Sequence, residues 1–324
     1  MKAIICRKLG PPSVLRLEEQ PTQHISADDI RIRVRAAGVN FPDILMVAGT
    51  YQHKPSLPFV PGFEIAGEIM EIGNNCTSLQ LGERVMASMR TGGYAEECTV
   101  KLTAIQHMPT SFDFAEGAAF QVAYSTAYVA LVRRADLGKG ETLLVHGAVG
   151  GVGLAAVQLG RALGANVIAT VSTEEKMEPA IEAGADHAIP LSRNGFRDRV
   201  KELTHGNGAN VIFDPVGGDI FDESLRCIAW GGRLLVVGFA GGRIATAPTN
   251  RILIKGCSII GVRAGEFTRR DPVRGQENYK IMLRLASEGL LKPRIHARIP
   301  LAQASEAMTE LTKRKVIGKI VLIP

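Results

Sequence analysis

The sequence predicts an α/β protein in which a small, mostly antiparallel β-barrel accompanies a doubly wound parallel sheet. Three observations carry that prediction. Up to about residue 110 the chain is made of short alternating segments separated by Gly and Pro. From about residue 114 nearly wholly apolar strands alternate with helices. Within that second part, LLVHGAVGGVGLAAVQLGRALGANVIATVS runs from strand through a glycine turn into a helix and on to a second strand.

Taken in order, the alternating segments are IRIRVRAAGV, FEIAGEIMEIGN, GERVMASM and GYAEECTV. The first reads as a half-buried strand with Ile30, Ile32 and Val34 on one face and Arg31, Arg33 and Arg35 on the other. It ends at AAGVNFPDI, which puts Asn40 at a strand end, where reactive groups are often displayed. AEGAAFQVAYSTAYVALVRRADL then reads as a helical segment with few breakers. The strands that follow are TLLVHG, NVIATVS, HAIPL, NVIFDPV, RLLVVGF and CSIIGV, separated by helices such as VGLAAVQLGRAL, MEPAIEAG and FRDRVKELTHG. Strands buried on both faces and alternating with helices indicate a doubly wound sheet. A last helix, QENYKIMLRLASEGL, and a final strand, GKIVLIP, close the chain. No internal repeat or low-complexity linker is visible, so the two parts are expected to face each other across a cleft.

Composition removes several classes of function. With 324 residues, 46% hydrophobic and 22% charged, the chain is long enough for two domains and too apolar for disorder. No run approaches the roughly 18 to 20 apolar residues that span a bilayer, and MKAIICRKLG is too short in its apolar part for a signal peptide, so the expected address is cytoplasmic. Cys6, Cys76, Cys98, Cys227 and Cys257 are scattered without a CxxC and read as buried reduced thiols. The net charge of +6 is spread along the chain, which favours small anionic ligands over nucleic acid. His24, His53, His107, His146, His187, His205 and His296 show no helical pair spacing, and each reads as a surface or core histidine and not as a metal ligand.

The glycine turn contains Gly147, Gly150, Gly151 and Gly153, with Ala148 where a strict GxGxxG has its first glycine. Glycines let the backbone turn tightly and approach a pyrophosphate, while the free N–H groups and positive end of the helix attract its oxygens. Gly150, Gly151 and Val152 are the turn residues expected to meet it. At the end of the next strand an NAD site usually carries an acidic residue that holds the ribose hydroxyls. Here stand Val171, Ser172 and Thr173, with Lys176 just beyond, and hydroxyls with a cation favour a 2′-phosphate. NADPH is therefore expected over NADH. Ser172 and Thr173 could also cap the following helix, a role compatible with phosphate binding.

The β-rich part, the glycine-turn part and the motifs AAGVNFPD, PGFEIAGEI, GERV, GGYAEE, HGAVGGVG, DPVGG and GKIVL together resemble the medium-chain dehydrogenase/reductase superfamily, nearly end to end. Within it the chain is most similar to the zinc-free quinone oxidoreductase branch, which includes zeta-crystallin. That resemblance implies a GroES-like catalytic domain over residues 1–122, a Rossmann NADPH-binding domain over 123–264, a return to the catalytic domain over 265–324, and a homodimer joined edge to edge near Cys257 to Val262. The zinc-binding branch uses a Cys in GVC and a His in GHE; here the matching positions are Asn40 in GVN and Phe63 in GFE. Neither an amide nor a phenyl ring replaces those ligands. Between Met86 and Gly93 only ASMRTG stands where a cysteine-rich lobe would hold a structural zinc.

Without a Lewis acid, the resemblance implies hydride transfer from NADPH to a quinone or an activated enone, helped by proximity and by hydrogen bonds to the developing oxyanion. Asn40 matches a position beside the nicotinamide and substrate, and Tyr51 in GTYQHKP matches a tyrosine that approaches the substrate in related enoyl reductases. Tyr51 reads equally well as a donor or as an aromatic that shapes the pocket. Thr126 in AYSTAY matches a threonine on the nicotinamide side, although a helical threonine is commonly a packing residue. Gly238 and Phe239, Val262 and Arg263 stand at strand ends where ligands bind in such sheets, and Lys319 in GKIVL matches a further cofactor position. Where quinone reductases carry a tyrosine after the third strand, this chain has Ser192 or Arg193. Two alternatives stay open: an enoyl-thioester or alkenal reductase, for which Arg263, Arg269, Arg270 and Arg274 supply basic residues, and a crystallin-like or RNA-binding role.

Overall fold

A computed structural model of the protein describes residues 1–22, 24–191 and 195–324. Period-two alternation builds the first part of the chain. β1 (Lys2–Ile5) and β2 (Arg16–Glu19) form an antiparallel pair. The Ile-Arg alternation becomes β3 (Asp29–Gly38), which leads directly into the short helix α1 (Phe41–Val47). After it come β4 (Glu64–Ile72), β5 (Arg84–Ser88), β6 (Glu97–Lys101) and β7 (Ile105–His107), then α2 (Phe114–Ala118). β3 is the centre of this sheet, antiparallel to both β4 and β6. Arg31 was expected on a solvent face with Arg33 and Arg35. It is instead buried, since β4 and β6 flank it and offer Glu71 at 2.9 Å and Glu97 at 3.4 Å as partners, while Arg33 and Arg35 are exposed.

The helical segment predicted beyond residue 114 is broken. α2 ends at Ala118, α3 (Gln121–Tyr128) starts again after Ala119 and Phe120, and Val129–Arg134 continue as a π-helical stretch. Beyond it, β8 (Thr142–Val145), α4 (Gly151–Ala162), β9 (Asn166–Val171), α5 (Met177–Glu182), β10 (His187–Pro190), α6 (Arg197–Leu203), β11 (Ala209–Asp214), α7 (Asp219–Cys227), β12 (Ile228–Val236), α8 (Thr249–Lys255) and β13 (Ser258–Gly261) alternate. All five pairings in this sheet are parallel, and its order is β10-β9-β8-β11-β12-β13. The order reverses between β8 and β11, the place in a doubly wound sheet where ligands bind beyond the strand ends. Leu144, Ile168, Ile212, Leu234 and Phe196 lie in its core.

α9 (Ala264–Arg270) and α10 (Pro272–Ser287) follow, then β14 (Ile295–Pro300), α11 (Ala304–Thr312) and β15 (Lys319–Ile323). β14 and β15 are parallel to each other, and β15 is antiparallel to β3, which completes the order β14-β15-β3-β4-β5-β7. Ile30, Ile32, Ile65, Val85, Ile320 and Leu322 form its core together with Ala307 and Met308 of α11. The chain thus forms two compact units, Met1–Val122 with Pro293–Pro324, and Ala123–Lys292. The return to the first unit comes at Pro293 and not at residue 265, because α10 and the segment after it are fastened to the second: Arg133 Nε donates to Asn278 Oδ1 of α10 at 2.8 Å, and beyond the helix the Gln158 amide bonds both the N–H and the carbonyl of Lys292, at 2.9 and 3.0 Å. Among the described residues no helix is long and apolar enough to cross a membrane.

Candidate functional site

In the first unit, the end of β3 carries a cluster of buried polar side chains. Gly38 makes room for it, because a Cβ there would stand 2.6 Å from Glu64 Oε1 and 2.3 Å from the Ala118 carbonyl oxygen. Asn40 caps α1: its backbone N–H donates to Asp43 Oδ2 at 2.9 Å, the return half of a capping box. Its side chain faces two charged partners. Nδ2 donates to Glu64 Oε1 at 2.9 Å and to the Gly38 carbonyl at 3.3 Å, and Oδ1 accepts from Lys319 Nζ at 2.5 Å. Lys319, the first residue of β15, also donates to Glu64 Oε1 at 2.8 Å, and Glu64 Oε2 accepts from the Val122 N–H at 2.8 Å. Lysine can only donate and carboxylate only accept, so the orientation of the Asn40 amide is fixed by its neighbours. Both of its N–H groups are thereby used within the protein. The Lys319 ammonium has three N–H groups and gives two of them to these acceptors. Glu64 is fully buried, and Asn40 and Lys319 nearly so.

Asp43 ties the cluster to the loop before β4. It accepts from the Asn40 and Gly62 N–H groups at 2.9 and 3.0 Å and from the Tyr94 hydroxyl at 2.9 Å. Burial nevertheless outweighs these donors and raises its carboxyl to about 7, and burial beside Asp43 pushes the Tyr94 phenol well above its ordinary range. Tyr51 and Phe63 meet edge to face at 5.7 Å, so the predicted tyrosine stands against the residue that precedes Glu64. Gln121, at the start of α3, is almost fully buried, yet neither end of its amide finds a hydrogen-bond partner among the described residues. Thr126 lies five residues further along α3, half-buried.

In the second unit the glycine turn is backbone-built. The left-handed residue is Gly147, with φ of 57°, which leaves Ala148 in an ordinary conformation and explains why alanine fits at the first motif position. A Cβ on Gly153 would stand 2.2 Å from the Gly147 carbonyl oxygen, so the third glycine is required for α4 to close on the turn. At Gly150 a Cβ would meet only that same carbonyl, at 3.3 Å, so the approach to the helix start is open. The first bond of α4 runs from Leu154 N to the Gly150 carbonyl, which places the N–H groups of Gly151, Val152 and Gly153 ahead of the helical ladder. Twelve residues of helix behind them add a positive end, a combination that fits the diphosphate of a dinucleotide.

Around that turn the sheet collects the other predicted residues. At the end of β9, Lys176 Nζ donates to Ser172 Oγ at 3.0 Å, and burial lowers the lysine pKa. Thr173 hydrogen-bonds the Glu175 carboxylate and holds it below its ordinary pKa. Gly238 and Phe239 follow β12, Val262 and Arg263 follow β13, all at the carboxyl edge, and the Val262 N–H donates to the Val236 carbonyl at 3.0 Å. Ser192 and Arg193 lie outside the described residues. His146, just before the turn, is wholly buried between Thr170 Oγ1 and Ser224 Oγ, each at 2.8 Å. Ser224 spends its own proton on the Ile220 carbonyl at 2.7 Å, so His146 carries its proton on Nε2 and accepts at Nδ1. Burial drives this imidazole down to about 3 and keeps it neutral.

Sequence reasoning missed Glu64 and Asp43 as members of the cluster, and it missed Gln121. The N-x-x-D spacing of Asn40 and Asp43 is a capping-box pattern and could have revealed Asp43. Nothing local marks Glu64 as the partner of Lys319. Of the four arginines that kept a thioester arm in view, three are paired: Arg269 and Arg270 both with Glu266, and Arg274 with Asp271. Among the described residues no three His, Cys, Asp or Glu side chains come together as a metal site.

Comparisons with known proteins cover both units. Residues 26–132 match the alcohol dehydrogenase GroES-like domain, and residues 151–288 match the family described as zinc-binding dehydrogenase. The quinone oxidoreductase-like protein 2 homolog of Nematostella vectensis is 42% identical over 324 residues, covering 99% of this chain and 88% of that protein. Human quinone oxidoreductase is 34% identical over 327 residues, covering 100% of this chain and 98% of its own. The structure of Escherichia coli quinone oxidoreductase complexed with NADPH superposes with a TM-score of 0.92 at 28% identity, over 100% of both chains.

Proposed function

Because the chain belongs to the quinone oxidoreductase branch of the medium-chain dehydrogenase/reductase superfamily, we propose that it is an NADPH-dependent oxidoreductase that reduces a quinone without zinc. The observation that carries the reading is the turn from Gly147 to Gly153, open at Gly150 and followed at the next strand end by the Ser172–Lys176 pair. Those hydroxyl and ammonium groups suit a 2′-phosphate, where an NAD site would carry a carboxylate. Gly151, Val152 and Gly153 would hold the diphosphate, and Gly238, Phe239, Val262 and Arg263 edge the same side of the sheet. When bound, NADPH supplies the hydride. A quinone accepts it once oriented, so the protein's part is positioning and stabilisation of the negative charge that appears on the acceptor oxygen.

Two features of the first unit support a reaction without metal. Asn40 and Phe63 are not zinc ligands, and the space between Asn40 Oδ1 and Glu64 Oε1 holds the Lys319 ammonium, which supplies the positive charge there. The Tyr51–Phe63 pair would form an apolar wall suited to a planar ring. An enoyl-thioester reductase is less favoured, because three of the four arginines that would serve it, Arg269, Arg270 and Arg274, are paired with the neighbouring carboxylates of Glu266 and Asp271. β13 is an edge strand of the parallel sheet, which suits a homodimer joined along that edge. All five cysteines are free and buried, which suits a reducing compartment such as the cytoplasm. The test is NADPH oxidation measured against quinones, alkenals and enoyl-CoA esters, with NADH in parallel. Turnover confined to enoyl-CoA, or a preference for NADH, would sink the reading.

A further inference from the structure

The resemblance gives Asn40 the role of hydrogen-bond donor to the reacting groups, and the geometry does not leave it one. Both Nδ2 protons are committed, to Glu64 Oε1 and to the Gly38 carbonyl. What the amide retains is a lone pair on Oδ1, which can only accept. The one group of this cluster with a donor to spare is Lys319, whose Nζ sits 2.5 Å from Asn40 Oδ1 and 2.8 Å from Glu64 Oε1 with a third N–H beyond these two. The rest of the cluster holds its two acceptors in place by further hydrogen bonds. Glu64 is pinned from behind by the Val122 N–H, and Asn40 is pinned at its backbone by Asp43, so neither acceptor is free to follow the lysine away.

We propose that the Lys319 ammonium is the catalytic electrophile, hydrogen-bonding the acceptor oxygen on which charge develops, and that Asn40 and Glu64 are positioning residues that fix it. The inference rests on the quinone-reductase reading and goes beyond a cofactor-binding role for Lys319. In the step, hydride would add to a ring carbon conjugated with the acceptor carbonyl, the carbon–carbon π pair would shift towards that carbonyl, and the carbon–oxygen π pair would become a lone pair on the oxygen beside Lys319. A proton from water then neutralises that oxygen, and transfer of the C–H proton from the carbon that received the hydride to the second oxygen restores the aromatic ring, so that quinone, NADPH and one proton give hydroquinone and NADP⁺. A cationic donor held in a buried site suits this task better than a neutral amide, because charged hydrogen bonds are roughly twice as strong and need no reorganisation during the reaction.

The experiment is steady-state kinetics with 1,4-benzoquinone and NADPH on the full chain, comparing the parent with Lys319→Ala and with the double variant Lys319→Met, Glu64→Gln. The double variant removes the buried charges together and so keeps a comparison even if the single change unfolds the protein. The expected result is a fall in kcat of about 10² to 10³-fold in both, the range for losing one oxyanion donor, with the KM for NADPH within about threefold of the parent. Added ethylammonium should restore part of the kcat of Lys319→Ala, an effect that a purely structural lysine would not show. A kcat within about threefold of the parent in the double variant, or a loss carried by the KM for NADPH, would overturn the lysine's role while leaving the quinone-reductase reading intact. A parent protein that oxidises no NADPH would overturn both.

Discussion

The two candidate regions are assembled in opposite ways. In the second unit the turn from Gly147 to Gly153 is made of backbone, and every part of it lies within one strand–turn–helix segment. In the first unit the cluster is made of side chains from three distant places, Asn40, Glu64 and Lys319, the last two 255 residues apart. The turn depends on absent side chains, since a Cβ at Gly153 would strike the Gly147 carbonyl. The cluster depends on buried charges that compensate each other. One region should therefore fail by steric overlap and the other by unbalanced charge.

The largest effect should come from breaking the balance. Lys319→Met leaves the Glu64 carboxylate buried without its cation and is expected to cost about 3 to 5 kcal/mol, whereas adding Glu64→Gln should recover most of that. Chemical denaturation of the two variants checks this, and equal losses in both would show that charge balance is not what holds the cluster. Gly153→Ala comes next. It should cost about 1 to 3 kcal/mol as an overpacked contact, and weaken NADPH binding measured by titration, while leaving hydrogen exchange around Asn40 unchanged.

Acidity should separate the regions by sign. His146 is held down to about 3 from its ordinary 6.5, so the unfolded chain takes up the proton first on acidification. Its contribution is complete above pH 6.5 and is lost as pH falls towards 3, by up to about 1.4 kcal/mol per pH unit. Asp43 is raised from 3.8 to about 7, so its contribution is complete below pH 4 and is lost as pH rises through 7. Amide exchange near His146 and near Asp43, followed between pH 4 and 8, should show opposite slopes, and Asp43→Asn should flatten only the second. The smallest effect is a gain. Gln121→Met replaces an amide with two unsatisfied buried ends by an apolar chain of similar length, and should raise stability by about 1 kcal/mol in thermal unfolding.

Much of this was readable in advance, and the unread parts share a cause. Ser172 and Lys176 stand out within the six residues from Val171 to Lys176, and the structure brings them to 3.0 Å, because a strand end and the turn after it are local. Arg31 was misread as exposed because alternation reports the face of one strand, whereas its burial is decided by Glu71 and Glu97 on the strands to either side. The break at Ala119 interrupts a segment with few breakers, within which periodicity alone gives no position for a stop. AAGVNFPDI points to Asn40 as a candidate, yet the direction of its amide depends on Lys319 and could not be read from that stretch.

By itself the sequence determined the two textures, the doubly wound sheet, the glycine turn and the hydroxyl and ammonium pair beyond it. Each of these depends on periodicity or spacing within a few turns of backbone. Only the tertiary structure decided that Lys319 is an internal cation between Asn40 and Glu64, that Asp43 is fastened by three donors, and that the chain returns to its first unit at Pro293. These depend on which distant segments share a core, and a buried charge acquires its role from the neighbours that replace its water.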